Sequence, residues 1–129
     1  FTDIEGSTKL AHEFHELLPE ALQRHQQILH EAVAANNGYV FRIIGDAFFC
    51  SFERSADAVK AAREAQILFS KEQWKGVTIK VRIGIHAGDA EWNGTDYEGY
   101  LTLARTNRIM SAAYGEQIII SEKVYKDLG

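Results

Sequence analysis

Several residue types that mark particular classes of protein are scarce in this sequence. Its 129 residues contain one cysteine, Cys50, one proline and no long apolar run. A lone cysteine excludes an internal disulfide and a cysteine-based zinc site, and it suits a reducing compartment. No apolar stretch approaches the roughly 18 residues that a membrane helix needs. We therefore expect a cytoplasmic domain with no membrane segment in these residues.

An excess of positive charge is also absent. Fourteen Lys and Arg stand against eighteen Asp and Glu, and the net charge of −4 is dispersed along the chain. Proteins that bind nucleic acid through its phosphates usually carry a basic patch, so we expect no nucleic-acid partner. What the chain does have is 46% hydrophobic residues, which is ample for one folded core at this length.

Helical spacing of apolar residues runs through the N-terminal third of the chain. Ser7 or Thr8 can cap a first helix, and Pro19 suits the first turn of a second. Ser55 can cap a third helix further on. Four histidines fall on the first two helices: His12, His15, His25 and His30. No third metal ligand follows from their spacing, so we expect them on solvated faces.

Strand patterns alternate with these helices. Residues 39–44 and 47–52 are rich in β-branched and aromatic side chains, and Gly45-Asp46 between them is typical of a hairpin turn. Residues 77–85 alternate between apolar and polar, which predicts a strand with one buried face. A helix over 99–113, a strand over 117–121 and a short last helix follow. This order predicts an α+β domain with helices on one face of a largely antiparallel sheet.

Two acidic residues lie where a metal site could form. Asp3 ends a strand before a glycine turn, and Asp46 lies at the hairpin tip. If the hairpin lies beside the first strand, both carboxylates converge, and carboxylate oxygens are ligands that Mg²⁺ and Mn²⁺ prefer. The turn at Gly6, Ser7 and Thr8 would add backbone N–H groups suited to a triphosphate. Taken singly, an aspartate at a turn is most often structural.

Four segments taken together carry a more specific signal. They are Phe1-Thr2-Asp3-Ile4-Glu5-Gly6-Ser7-Thr8, Gly45-Asp46, Val81-Arg82-Ile83-Gly84-Ile85-His86-Ala87-Gly88, and Arg108-Ile109-Met110-Ser111 with Gly115 and Gln117. In this order and spacing the chain resembles the catalytic domain of class III adenylate and guanylate cyclases. The resemblance implies a ferredoxin-like α+β sandwich, with a mostly antiparallel sheet and helices packed on it.

The same resemblance implies how the domain is organised. Family domains form head-to-tail dimers with active sites shared at the interface, so a homodimer is expected. Residues 1–129 would be a single nucleotidyl cyclase-like catalytic domain, truncated at both ends. The chain would begin inside the first strand and stop before the family's final strands.

Particular residues inherit expected roles from the resemblance. The two metal-binding aspartates fall on Asp3 and Asp46, and the carbonyl that assists them falls on Ile4. Two Mg²⁺ or Mn²⁺ ions there would assist attack of the ribose 3′-hydroxyl of ATP on the α-phosphorus, yielding 3′,5′-cyclic AMP and pyrophosphate. The transition-state arginine falls on Arg108, supplied by the partner chain.

Three positions depart from the family pattern. The base-reading lysine is Arg42, which only donates hydrogen bonds and therefore favours adenine over guanine. The acidic adenine partner is Asp96 if one residue is inserted before Arg108, and the position is Tyr97 otherwise. The ribose-positioning asparagine is Ala104, which cannot make a hydrogen bond.

The leading interpretation is therefore an adenylate cyclase that takes part in intracellular signalling. Ala104 motivates an alternative, a catalytically impaired module that binds nucleotide or a partner and relays a signal. A dinucleotide-forming enzyme of related architecture would also use two aspartates and metals.

Overall fold

The computed structural model describes residues 1–129 as seven strands and five helices. The strands are β1 (Thr2–Ile4), β2 (Tyr39–Ile44), β3 (Ala47–Ser51), β4 (Val81–Ile85), β5 (Glu91–Trp92), β6 (Tyr97–Glu98) and β7 (Ile118–Ile120). The helices are α1 (Ser7–Glu13), α2 (Leu18–Ala35), α3 (Ser55–Lys71), α4 (Tyr100–Ser111) and α5 (Glu122–Asp127). None of the helices is both long enough and apolar enough to cross a lipid bilayer.

Five strands form one sheet in the order β2-β3-β1-β4-β7, and β5 and β6 form a separate hairpin. Neighbours in the large sheet are antiparallel except β4 and β7, which are parallel. The predicted α+β class with a mostly antiparallel sheet is confirmed. The predicted β2–β3 hairpin is also present, with Ile44 paired to Ala47 and Gly45 at a φ of 59°.

The main core lies between the sheet and helices α2 and α3. Its central residues are fully buried: Ile28, Leu29, Phe48, Phe69 and Val81. The apolar alternation before β4 points inward as predicted, since Val77 and Ile79 are also buried in this core. The ladder itself starts only at Val81, so Val77 and Ile79 pack in the core without belonging to the sheet, and Thr78 and Lys80 between and after them are exposed.

Helix α4 lies on the opposite face of the sheet, which corrects the expectation that the helices share one face. Ile83 belongs to the main core, so its neighbour Gly84 points to the other side. A Cβ on Gly84 would lie 2.3 Å from the backbone nitrogen of Met110 and 2.6 Å from its Cα. The absence of a side chain at Gly84 is therefore what allows α4 to approach the sheet this closely.

Two predicted helix caps are wrong. Helix α1 is preceded by Gly6 at a φ of 66°, with no side-chain cap from Ser7 or Thr8. Helix α3 begins at Ser55 itself, after an extended Arg54, and the Ser55 hydroxyl donates to Asp127 Oδ2 at 3.0 Å. The start of α1 therefore depends on the left-handed backbone of a glycine, which L side chains adopt only with strain.

His25 is not on a solvated face, in contrast to the expectation. Its side chain is 1% exposed, and neither ring nitrogen has a hydrogen-bond partner. The ring lies 5.8 Å from that of Phe69 and 5.6 Å from that of Phe48. Burial lowers the pKa of His25 to about 4, although the negative charge of Asp46 opposes the shift. The imidazole is therefore neutral in the folded chain near pH 7.

Acid should destabilise the fold through His25. Because the folded-state pKa of about 4 lies below the ordinary 6.5, the unfolded chain takes up a proton first as the pH falls. Stability is unaffected by this group above pH 6.5, and the loss grows toward about 3 kcal/mol near pH 4. Urea unfolding from pH 7 to 4.5 measures this loss, and His25→Leu should reduce it.

The matched control is His15→Leu, at an exposed histidine, which should leave the pH dependence of the parent chain intact. If the free energy of unfolding fell equally with pH in His25→Leu and in the parent chain, the assignment of the acid sensitivity to His25 would be wrong.

Candidate functional site

The hairpin tip brings Asp46 next to Asp3. Strand β3 pairs with β1 through Thr2 and Phe48, so the turn before β3 lies against the end of β1. The backbone N–H of Ile4 donates to Asp46 Oδ2 at 2.7 Å. The two carboxylates that were expected to converge therefore belong to adjacent points of one sheet end, with the backbone of Ile4 between them.

A cavity of about 450 Å³ opens beside these residues. Its lining includes Ile4, Ser7, Thr8, Gly45 and Asp46, and the rest comes from helices α1 and α2: Leu10, Ala11, His12, Leu18 and Leu22. Gly6 does not line the cavity, and the space that its Cβ would occupy is open. The structure thus places Ser7 and Thr8 at the cavity with Asp46, and Gly6 at the turn that positions them.

Arg82 binds Asp3 directly, a contact that the sequence reasoning missed. The two residues are cross-strand partners on β4 and β1. Arg82 Nε donates to Asp3 Oδ1 at 2.6 Å, and Nη2 donates to Oδ2 at 2.5 Å. The hydrogen bond to Asp3 is the main reason that the pKa of Arg82 is raised. Arg82 lies on the polar side of a recognisable strand, but only the register of β4 against β1 identifies its partner.

The donor set at this sheet end consists of carboxylate oxygens. Nowhere in the chain do three or more His, Cys, Asp or Glu side chains gather as a metal cluster. Mg²⁺ usually keeps several waters and binds through one or two carboxylates plus substrate phosphates. Asp3 and Asp46 therefore fit a Mg²⁺ or Mn²⁺ site that nucleotide and water complete.

Arg42 and Asp96 form a second charged pair. Arg42 Nε and Nη2 both donate to Asp96 Oδ2, at 2.9 and 2.6 Å. The Arg42 guanidinium carbon lies 5.7 and 5.6 Å from the ring centroids of Phe41 and Phe49, within cation–π range. Tyr97, the other residue considered for the acidic position, packs its ring 5.0 Å from that of Phe41. The two residues expected to read the base thus lie together.

The structure does not bring the two charged groups into one contact. Arg42 faces Phe49 across the β2–β3 ladder, and the Phe49 ring lies 4.5 Å from that of Phe1, the residue before β1. The Arg42–Asp96 pair and the Arg82–Asp3 pair share no hydrogen bond.

Arg108 also lies apart from Asp3 and Asp46. Helix α4 turns Thr106 and Met110 inward, and Arg108 between them is exposed. The Arg108 side chain makes none of the hydrogen bonds or ion pairs found in the chain. Ala104 lies one turn earlier on the same side of α4, where it offers no polar atom.

Comparison with known proteins places these observations in context. The sequence model of the family described as adenylate and guanylate cyclase catalytic domain matches residues 1–129. An uncharacterized protein of Mycobacterium tuberculosis is 31% identical over 92% of this chain, which spans 40% of that protein. The adenylate cyclase of Schizosaccharomyces pombe is 29% identical over 96% of this chain, which spans 9% of that protein.

A solved structure shows the same fold. An adenylate cyclase from Trypanosoma brucei in its monomeric state has a TM-score of 0.90 and 23% identity, covering 99% of this chain and 74% of that one. At that identity the likeness speaks for the fold alone. The family match over the whole chain goes further, and this chain belongs to the adenylate and guanylate cyclase catalytic domain family.

Proposed function

We propose that the chain converts ATP to 3′,5′-cyclic AMP and pyrophosphate as a homodimer. The observation that carries the proposal is the hydrogen bond from Ile4 N–H to Asp46, which holds Asp46 against the residue that follows Asp3, beside an open cavity that Ile4 and Asp46 line. A site of this kind suits phosphoryl transfer by positioning and charge neutralisation.

The chain's own groups then have defined tasks. Asp3, Asp46 and the carbonyl of Ile4 would hold two Mg²⁺ or Mn²⁺ ions, which supply charge neutralisation and favour ionisation of the ribose hydroxyl. Gly6, Ser7 and Thr8 would contact the triphosphate through their own N–H and hydroxyl groups. Helix α1 has only seven residues, so these direct contacts would matter more than its dipole.

Two features support a site shared between protomers. Arg108 is exposed on the side of α4 away from the sheet, and its side chain makes no hydrogen bond or ion pair within the chain. A second copy of the chain would let Arg108 reach a nucleotide held at Asp3 and Asp46. The edge strand β2 also leaves apolar area uncovered, since Tyr39, Ile43 and Ile44 are 53%, 43% and 59% exposed.

The preference for ATP rests on Arg42. Its guanidinium offers only donors, and Nη1 makes no hydrogen bond in the structure. This group can donate to an acceptor on adenine, whereas guanine would present a donor there. Both hydrogen bonds from Arg42 to Asp96 would fix the direction of that remaining N–H.

The direct test is an assay of the folded dimer with Mn²⁺, using ATP and GTP side by side and identifying products by mass. We expect 3′,5′-cyclic AMP as the main product. Absence of any cyclic nucleotide from a verified dimer would contradict the proposal. A dinucleotide product would instead favour the polymerase-like alternative.

Replacement of Asp46 tests the metal assignment. Asp46→Asn keeps an acceptor for the Ile4 N–H but removes the negative charge, so the fold should persist while Mn²⁺-dependent ATP binding weakens by at least tenfold. Calorimetry measures the binding and thermal unfolding checks the fold. Asp89→Asn, at an exposed position, is the control and should bind normally. Unchanged binding by Asp46→Asn would contradict the assignment.

Ala104 favours the second candidate function, an impaired cyclase-like module that binds nucleotide or a partner. If the module is an impaired enzyme, Ala104→Asn should raise kcat on the order of 10²- to 10³-fold by restoring one transition-state hydrogen bond. Ala112→Asn, at an exposed alanine just after α4, controls for the added amide. No rise in kcat for Ala104→Asn would favour the binding role.

A further inference from the structure

We propose that Arg82 binds both oxygens of Asp3 in the metal-free protein and competes with any cation for that carboxylate. This inference rests on the proposed function because it takes Asp3 as a metal ligand. It adds a positioning residue, Arg82, to that site. It also makes Asp46 more accessible to a cation than Asp3.

The contact uses both oxygens of Asp3. Nε and Nη2 of Arg82 each bind one carboxylate oxygen, at 2.6 and 2.5 Å. Such paired, charge-assisted hydrogen bonds are among the strongest that side chains form. Each oxygen of Asp3 therefore already accepts one charged N–H, so a cation that binds Asp3 must compete with the guanidinium for the carboxylate.

Two further contacts fix the position of Arg82. Its backbone lies in β4 opposite Asp3, and Nη1 donates to the carbonyl of Ser111, the last residue of α4, at 3.3 Å. The side chains of Arg82 and Asp3 are only 26% and 19% exposed. This pair is therefore more ordered and less screened than a surface ion pair.

Asp46 presents a contrast. Its Oδ2 accepts the N–H of Ile4 at 2.7 Å, and its other oxygen takes part in no hydrogen bond or ion pair. A cation can bind the free oxygen of Asp46 without breaking a contact. On Asp3 both oxygens already accept a hydrogen bond from the guanidinium, whose positive charge also repels a cation. Asp46 is thus the accessible carboxylate, and Arg82 controls access to Asp3.

Linkage makes the proposal quantitative. If Arg82 stabilises the metal-free state but not the metal-bound state, its removal should destabilise the first and strengthen metal binding by the same factor. Repulsion between the positive charge of Arg82 and the cation would also weaken metal binding. Repulsion alone would not require the planar fork, that is, the paired hydrogen bonds from Nε and Nη2. A lysine keeps the charge and loses the fork, so Arg82→Lys separates the two explanations.

The experiment titrates Mn²⁺ into the full chain by calorimetry. We expect Arg82→Gln to bind Mn²⁺ on the order of tenfold more tightly than the parent, and Arg82→Lys to show part of that gain. Arg24→Gln is the matched control, because Arg24 makes a similar two-contact pair with Glu72, at 3.0 and 3.1 Å, elsewhere in the chain. It should leave the Mn²⁺ affinity unchanged.

Thermal unfolding supplies a readout independent of activity. Without metal, both Arg82→Gln and Arg24→Gln should unfold at a lower midpoint temperature than the parent. With saturating Mn²⁺, the difference in midpoint temperature from the parent should shrink for Arg82→Gln and persist for Arg24→Gln. Adding Asp3→Asn to Arg82→Gln should remove the gain in affinity.

Equal or weaker Mn²⁺ binding by Arg82→Gln would overturn the proposal, and so would binding too weak to detect in both that variant and the parent. A gain in Arg82→Gln with none in Arg82→Lys would overturn the role of the fork. If Asp46→Asn abolishes Mn²⁺ binding while the Arg82 variants behave like the parent, only the role of Arg82 fails. If Asp46→Asn has no effect, the metal site of the proposed function fails.

Discussion

The three-residue strand β1 pairs with β3 on one side and β4 on the other, and the contacts of Asp3 and Asp46 depend on this position. Pairing with β3 carries the hairpin tip and Asp46 to the end of β1. Pairing with β4 sets Arg82 opposite Asp3. Because register decides which face each side chain occupies, a shift of one residue would separate both contacts at once.

Charge at this sheet end is balanced rather than left exposed. Asp3 is neutralised by a guanidinium, and Asp46 is stabilised by a backbone N–H. Such partners let two carboxylates lie close together in a chain whose formal net charge is already −4. The same partners leave the two carboxylates in different environments, because both oxygens of Asp3 accept hydrogen bonds from Arg82 and only one oxygen of Asp46 accepts one.

Helix α4 covers the face of the sheet opposite the α2–α3 layer. Gly84 lets α4 lie against the sheet, which buries Thr106 and Met110 and turns Arg108 outward. The Phe1 and Phe49 rings also contact each other, with their centroids 4.5 Å apart.

The sequence alone determined what local periodicity and turn chemistry encode. The Gly45-Asp46 hairpin, the buried face of residues 77–85, the α+β class and the family were all available from it. Asp3 and Asp46 were identified as candidate metal ligands because Asp3 ends a strand before a turn and Asp46 lies in the turn of a hairpin.

Only the tertiary structure decided which distant residues meet. Arg82 and Asp3 are 79 positions apart, and Arg42 and Asp96 are 54 apart. The burial of His25 was likewise hidden, because α2 buries a polar ring against Phe48 and Phe69. Local patterns follow from the periods of helix and strand. Partners across the fold follow from strand order, register and the close approach of α4, which depend on the whole chain packing at once.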